Sequence, residues 1–204
     1  MVRNINDIKL DIIGLYTGNY LSEFHIRKMA KLIGKSHVSL LPHLRKFEKD
    51  KILVVKNIGR SRVYSLNMEN NQVREFLSLS EKKRTIEFLN KEFLIKKLYN
   101  EFINLQGCLI LFGSYASETR AKESDIDLFY IGDIKKNEKS NIKEFGRMYN
   151  RKVHLINMTI KQFKEQLFKQ NPLIKEVVKS HIILYNHDIF INEVWKYYHG
   201  RREW

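Results

Sequence analysis

The stretch LILFGSYASETRAKESDIDLFYI, residues 109–131, decides the fold of this chain. Two apolar runs, each as long as a strand, enclose the pair Gly113-Ser114 and two aspartates one residue apart, Asp125 and Asp127. Alternation along a strand places both carboxylates on one face, roughly 7 Å apart along the chain. Like charges in a partly buried place repel each other unless a cation neutralises them. The stretch therefore predicts two buried strands, with a cation site where the second begins.

The Gly-Ser pair predicts a phosphate site. A glycine at the end of a buried strand lets the backbone approach a ligand closely. Ser114 is expected at the N-terminus of a short helix over residues 115–121, where free amide groups favour a phosphate. Magnesium is a hard cation that binds carboxylates together with substrate phosphates. Two such ions about 3.5–4 Å apart clamp the attacking and leaving oxygens of a nucleotidyl transfer.

Gly-Ser, a short helix and Asp-x-Asp about ten residues after the serine resemble the signature of the DNA polymerase beta-type nucleotidyltransferase superfamily, close to its small prokaryotic members. The resemblance extends to about residue 157. It implies a mixed sheet backed by helices, with Mg²⁺ (or Mn²⁺) and a nucleoside triphosphate, expected to be ATP, at the strand ends. It also implies that Gly113 and Ser114 bind the nucleotide, and that Asp125 and Asp127 are the catalytic residues and metal ligands.

Two positions depart from the family pattern. This chain has Ser117-Glu118 where the family commonly has a small basic-Gly pair, which alters the approach to the phosphates. Active members also carry a third carboxylate on a later strand, which here is expected to be RKVHLINM, with His154 at the matching position. A neutral imidazole is a poor magnesium ligand. His154 is therefore either a third-site residue that orients a nucleophile or acts as a base, or an ordinary strand histidine.

Composition and charge limit the class of protein. The chain has 204 residues, of which 43% are hydrophobic, so it can bury a core, and its apolar runs are too short to cross a bilayer. Its N-terminus lacks the apolar segment of a secretory signal, and Cys108 is its single cysteine. These features predict a cytoplasmic protein. The net charge is +14, and residues 1–70 carry 13 basic and 6 acidic groups. A polyanionic partner, nucleic acid in particular, is the natural inference.

The first third of the chain predicts three helices and a hairpin. The helices are expected around Asn6–Leu15, from Ser22 as N-cap to Ile33, and within SHVSLLPHLRKFEKDK, with Gly34 ending the second. Pro42 removes a helical hydrogen bond, which favours Ser39 as the third N-cap so that Pro42 lies in the first turn. Leu41, Leu44 and Phe47 then share the apolar face. The strands of ILVVKNIGRSRVYSL are expected to be joined through Asn57–Ser61.

This order of elements resembles the winged helix-turn-helix domain of bacterial and archaeal regulators over about residues 5–67. The resemblance implies a recognition helix that reads the major groove of duplex DNA and a wing that contacts phosphates. The alternative is a protein-contact module with a solvated basic face. The DNA-binding residues implied on the helix and its N-terminus are Lys35, Ser36, His37, Ser39 and His43, and those on the wing are Lys56, Arg60 and Arg62.

The predicted fold class is α/β (α+β), in three parts. Residues 1–70 are expected to form the winged helix-turn-helix domain, residues 71–106 a helical connector with a long helix from Ser80, and residues 107–204 the nucleotidyltransferase-like domain. The connector's predicted apolar face consists of Ile86, Leu89, Phe93, Leu98, Phe102 and Leu105. No Pro- or Ser-rich linker separates the two outer parts.

Three functions are consistent with this pattern. The first is an enzyme that transfers a nucleotidyl group from a magnesium-bound triphosphate to a protein, nucleic acid or small hydroxyl acceptor. The second is a DNA-binding regulator or antitoxin whose nucleotidyltransferase domain binds nucleotide or a protein partner without turnover. A third, weaker reading is modification of RNA ends. No membrane partner is expected, and a homodimer is compatible with either of the first two.

Overall fold

The computed structural model describes residues 8–59, 61–117 and 124–201. Its described residues form an α+β protein with two sheets, as predicted. They divide into two compact units, one formed by the chain up to Lys83 together with the end of the chain from Tyr198, the other by Arg84–Tyr197. The predicted boundaries at residues 70 and 106 stay a prediction. Within the described part, no helix has the length and apolarity that a bilayer crossing needs.

Up to Leu66, the N-terminal unit contains three helices and a three-stranded antiparallel sheet in the order β1-β3-β2. The bounds of these elements are α1 Ile8–Gly14, β1 Phe24–His25, α2 Ile26–Ile33, α3 His37–Lys49, β2 Leu53–Ile58 and β3 Ser61–Leu66. Asn6 and Asp7, the start of the first predicted helix, lie outside the described residues. The sheet pairs as far as Ile58 and Ser61, so the hairpin loop is shorter than the predicted Asn57–Ser61.

The start of α2 differs from the prediction. Ser22 is not its N-cap, because Phe24 and His25 pair with β3 and the helix begins only at Ile26. Long-range strand pairing overrides the local preference of a serine for the cap position. Gly34 ends α2 in the left-handed region, at φ +70°, as predicted.

The start of α3 also differs. Ser36, not Ser39, is the N-cap, and the Ser36 hydroxyl accepts a hydrogen bond from the Ser39 amide. Pro42 therefore lies inside the helix at an exposed position, where its missing N–H cannot donate to the carbonyl four residues earlier. The buried face of α3 also differs from the prediction by one residue, with positions four and seven apart on one side of the helix. Leu40, rather than Leu41, is buried with Leu44 and Phe47.

The remaining elements are α4 Gln72–Lys91, α5 Phe93–Glu101, β4 Cys108–Phe112, α6 Gly113–Ala116, β5 Ile126–Ile131, α7 Lys136–Met148, β6 Val153–Met158, α8 Ile160–Phe168, α9 Pro172–Lys179, β7 Ile182–Tyr185 and α10 His187–His199. The long helix predicted from Ser80 thus begins at Gln72 and ends before Glu92. Ile86 and Phe93, placed on the apolar face by sequence, are 43% and 71% exposed. The break between α4 and α5 resets the helical phase from Phe93 onward.

The C-terminal unit has a mixed four-stranded sheet in the order β6-β5-β4-β7. β4 pairs antiparallel with β5 and β7, whereas β5 and β6 run parallel. One face of β5, with Ile126, Leu128 and Tyr130, packs in a core with residues of α5 and α7. The opposite face carries Phe129, whose ring is 6.0 Å from that of Phe163 in α8. Asp127 shares this second face by strand alternation.

Candidate active site

Gly113 and Asp127 are in direct contact where β4 ends. Gly113 has a φ of +68°, a backbone conformation that residues with a side chain rarely adopt. A Cβ built on it would overlap the Oδ2 atom of Asp127. Phe112, the last residue of β4, is the antiparallel partner of Asp127. A glycine is therefore required at position 113 for two reasons, backbone conformation and the approach of the carboxylate. Ser114 follows in the first turn of α6.

The two aspartates flank the start of β5. Asp125 immediately precedes the strand, and Asp127 is its second residue. Ile126 between them is fully buried, and its amide donates a hydrogen bond to the Lys152 carbonyl at 2.9 Å. This bond fixes the first residue of β5 against the segment that leads into β6. Neither aspartate is buried, so both carboxylates are accessible to a ligand.

His154 lies beside both aspartates. In the parallel pair of β5 and β6 it is the direct partner of Asp127. Its Nε2 atom lies 3.4 Å from the Oδ2 atom of Asp125, and both side chains are a little under half exposed. The sequence prediction that His154 stands on the strand next to the aspartates is thus consistent with the structure.

The surroundings of Asp127 raise the pKa of its carboxyl above the usual range. Partial burial is the largest cause, because desolvation disfavours the charged form. His154 acts in the opposite direction, and the negative charges of Asp125 and Glu176 raise the pKa further. Glu176 belongs to α9, 49 positions along the chain, and sequence reasoning missed it. No local motif marks it, since only the tertiary fold brings α9 toward β5.

The donor set suits a magnesium ion held jointly by protein and substrate. Asp125 and Asp127 offer carboxylate oxygens, the ligands that this ion prefers, and substrate phosphates complete its coordination. Across the described residues no cluster of three or more His, Cys, Asp or Glu side chains has metal-binding geometry.

The residues that the sequence assigned to DNA binding fall in two groups. Lys35, Ser36, His37, Ser39 and His43 are exposed or half-exposed around the N-terminal half of α3. The hydroxyls of Ser36 and Ser39 both take part in the helix cap.

The wing residues have acidic partners instead. Arg62 donates two hydrogen bonds to Glu48 from Nη2, at 2.6 and 2.8 Å, and Lys56 Nζ lies 3.7 Å from Glu23. Arg60 lies outside the described residues. The ion pairs of Lys56 and Arg62 were not anticipated from sequence, because their partners are 33 and 14 positions away and meet them only in the folded unit.

Comparison with known families identifies the C-terminal unit more closely. The model of the family described as "Polymerase beta, Nucleotidyltransferase" matches residues 94–189. The match supports a nucleotidyltransferase-superfamily domain in this part of the chain, and it includes Gly113, both aspartates, His154 and the four-stranded sheet. No curated protein and no solved structure matches the chain.

Proposed function

We propose that the domain over residues 94–189 transfers a nucleotidyl group from a nucleoside triphosphate, with ATP as the expected donor, to a hydroxyl acceptor. The observation that carries this proposal is the contact of Asp127 with Gly113 where β4 ends, next to Asp125 and His154. A glycine that admits a carboxylate, followed by a helix-start serine, supplies both a surface for phosphates and ligands for a metal ion.

Each residue has a definite part in the proposed reaction. Gly113 and Ser114 bind the triphosphate, and Asp125 and Asp127 hold magnesium (or manganese), which offsets the negative charge of the phosphates when bound. The acceptor oxygen attacks the α-phosphorus and forms a new P–O bond. The bond from the α-phosphorus to the bridging oxygen of the β-phosphate breaks, and pyrophosphate leaves with the electron pair. The proton of the hydroxyl passes to the imidazole of His154.

The N-terminal unit is proposed to be a winged helix-turn-helix domain that binds duplex DNA. The support is the element order α1-β1-α2-α3-β2-β3 and the exposed polar residues around the start of α3, among them Lys35, His37 and His43. The excess of basic residues in this part of the chain favours a polyanion. Together the two units suggest nucleotide-linked regulation of transcription in the cytoplasm.

A regulator or antitoxin without turnover is the second candidate. It is favoured by His154, which stands where active relatives are expected to have an acid, and by the lack of a three-ligand metal cluster in the described residues. In this case the aspartates bind nucleotide and metal, and the bound state alters the affinity for DNA or for a protein partner. A homodimer on a two-fold DNA site is compatible with this role.

The test is transfer of label from each α-³²P-labelled triphosphate in the presence of magnesium, with DNA, RNA and candidate proteins as acceptors. The wild type is compared with the double variant Asp125→Asn/Asp127→Asn, and with Asp133→Asn, an exposed acid that follows β5. Transfer that is lost only in the double variant supports the enzyme. Nucleotide binding that depends on the aspartates, without transfer, supports the regulator. Transfer unchanged in the double variant would refute the assigned site.

A further inference from the structure

β6 forms an open edge of the C-terminal sheet. It has six residues and lies at one end of the strand order, with β7 at the other. All four residues of β7 are buried, whereas none of the residues of β6 is. Among the described residues, β5 is the only strand that pairs with β6. The two edges of the sheet are therefore different, since one is covered and one is accessible.

The hydrogen-bonding groups of the open edge can be assigned. The carbonyls of Lys152 and Met158 accept hydrogen bonds from Ile126 and Gly132, so these two residues point toward β5. Backbone groups alternate in direction along a strand. The outward amides and carbonyls of β6 therefore belong to Val153, Leu155 and Asn157.

The sequence of this edge lacks the usual protection against strand pairing. Exposed edges in natural proteins are commonly blocked by Lys, Pro, a bulge or an inward-pointing charge. The six residues VHLINM contain no Lys, Arg, Pro or Gly. The register with β5 continues without a shift from Val153 to Met158, so no bulge bends the strand away. An unblocked, regular edge is the structure that strand addition uses.

The charge of the residues around β6 indicates which kind of segment would bind to this edge. From residue 145 to residue 164 the chain has no Asp or Glu, and it carries five basic residues, namely Arg147, Arg151, Lys152, Lys161 and Lys164. These positions lie before and after β6 in the sequence, and Arg147, Lys152, Lys161 and Lys164 are exposed. A second copy of the chain would bring five more cations to the same place. An acidic segment would instead be attracted to these cations, which outnumber the nearby acids Asp125, Asp127 and Asp133.

We infer that β6 binds an extended acidic segment of another protein, which adds to the sheet as a fifth strand. His154 is on the same face of the sheet as Asp127, and strands lie about 4.8 Å apart. Side chains of the added segment on that face are thus next to His154. A hydroxyl among them is the acceptor of the nucleotidyl group, by the bond exchange given above; this last step rests on the proposed function.

The test uses the full chain and a nine-residue peptide that alternates glutamate with valine and has a central tyrosine or serine. Hydrogen exchange measured by NMR is expected to slow, on peptide addition, at the outward amides of Val153, Leu155 and Asn157. Peptides N-methylated on alternate residues are the matched control, because only one of the two phases removes the donors that face β6. A peptide with lysine in place of glutamate tests the charge requirement.

The outcomes distinguish peptide binding at the β6 edge from nucleotidyl transfer to the peptide. Slower exchange at the three outward amides, lost with one N-methyl phase and with the lysine peptide, supports the inference. Unchanged exchange at these amides at millimolar peptide, or equal binding of the lysine peptide, overturns it, even where label transfer to another acceptor upholds the proposed function. Strand addition without transfer of label from ATP to the peptide upholds the docking edge and counts against the peptide hydroxyl as acceptor. The Asp125→Asn/Asp127→Asn variant is expected to keep the slowed exchange.

Discussion

His154 Nε2 lies 3.4 Å from Asp125 Oδ2, and the same histidine is the direct strand partner of Asp127. An imidazole there adds no negative charge to the two aspartates, whereas an acid would add a third. The site therefore balances its own charge more closely than a site with three carboxylates does. A metal ion bound at this site would therefore relieve less charge repulsion, and the site offers the ion fewer ligands.

The substitution His154→Asp is expected to lower the stability of the metal-free protein and to raise its affinity for magnesium. A third carboxylate near Asp125 and Asp127 costs about 1 kcal/mol of repulsion in the metal-free protein. It also supplies an oxygen ligand, so the midpoint of thermal unfolding should rise more with magnesium than in the wild type. Thermal denaturation with and without 10 mM MgCl₂ measures both effects, since a concentration of about that order saturates millimolar sites. His154→Asn is the control, and an equal magnesium response in the two variants would contradict the assignment.

The substitution Asp127→Asn is expected to stabilise the metal-free protein at neutral pH. Burial raises the pKa of Asp127 in the folded state. The folded state thus binds the proton more tightly than the unfolded chain, so stability is present at low pH and is lost as pH rises through the raised pKa. Asparagine carries no charge, so the Asp127→Asn variant does not lose this stability as the pH rises. Urea denaturation from pH 3 to 8 should show the two proteins diverging as pH increases, with Asp133→Asn following the wild type.

The substitution Gly113→Ala is expected to cost more than its backbone conformation explains. Gly59 has a similar φ, +58°, and a Cβ added there meets no atom within 4 Å. Gly59→Ala therefore measures the left-handed conformation alone, about 1–2 kcal/mol. Gly113→Ala adds the overlap with Asp127, about 1–3 kcal/mol more. Chemical denaturation compares the two, and equal costs would show that Asp127 moves aside freely.

On the proposed role of the N-terminal unit, the substitution Glu48→Gln is expected to strengthen binding to duplex DNA. It removes the carboxylate that holds Arg62 through two hydrogen bonds, which leaves the guanidinium available to a phosphate. One additional phosphate contact makes the slope of log K against log salt steeper by about 0.9. Fluorescence anisotropy at several salt concentrations gives this slope. Glu101→Gln, an exposed acid of α5, makes the same change in net charge and should leave the slope unchanged.

Local patterns predicted the C-terminal sheet well and the helix starts of the N-terminal unit less well. Buried apolar runs and the Gly-Ser and Asp-x-Asp spacing correctly indicated β4 and β5. Ser22 and Ser39 were wrong as N-caps. Phe24 and His25 after Ser22 pair with β3, and α3 begins one turn earlier, at Ser36.

The environment of the candidate site could be predicted only in part. His154 was identified through the resemblance to the nucleotidyltransferase family, whose active members carry a third carboxylate on a later strand. Glu176 and the pairing of Arg62 with Glu48 join residues distant in sequence, and no periodicity encodes them. The open edge of β6 likewise follows from the strand order, which the sequence alone does not fix.

The parallel pairing of β5 with β6 has a consequence for the order in which the strands of this unit fold. Gly113, Asp127 and the partner histidine lie on three different segments, and the last of them joins only through a crossover that contains α7. Hairpins close in microseconds, whereas non-local parallel pairing is slow. The β4–β5 hairpin should therefore form early during refolding, and nucleotide affinity should develop later, in a separate kinetic phase set by the docking of β6.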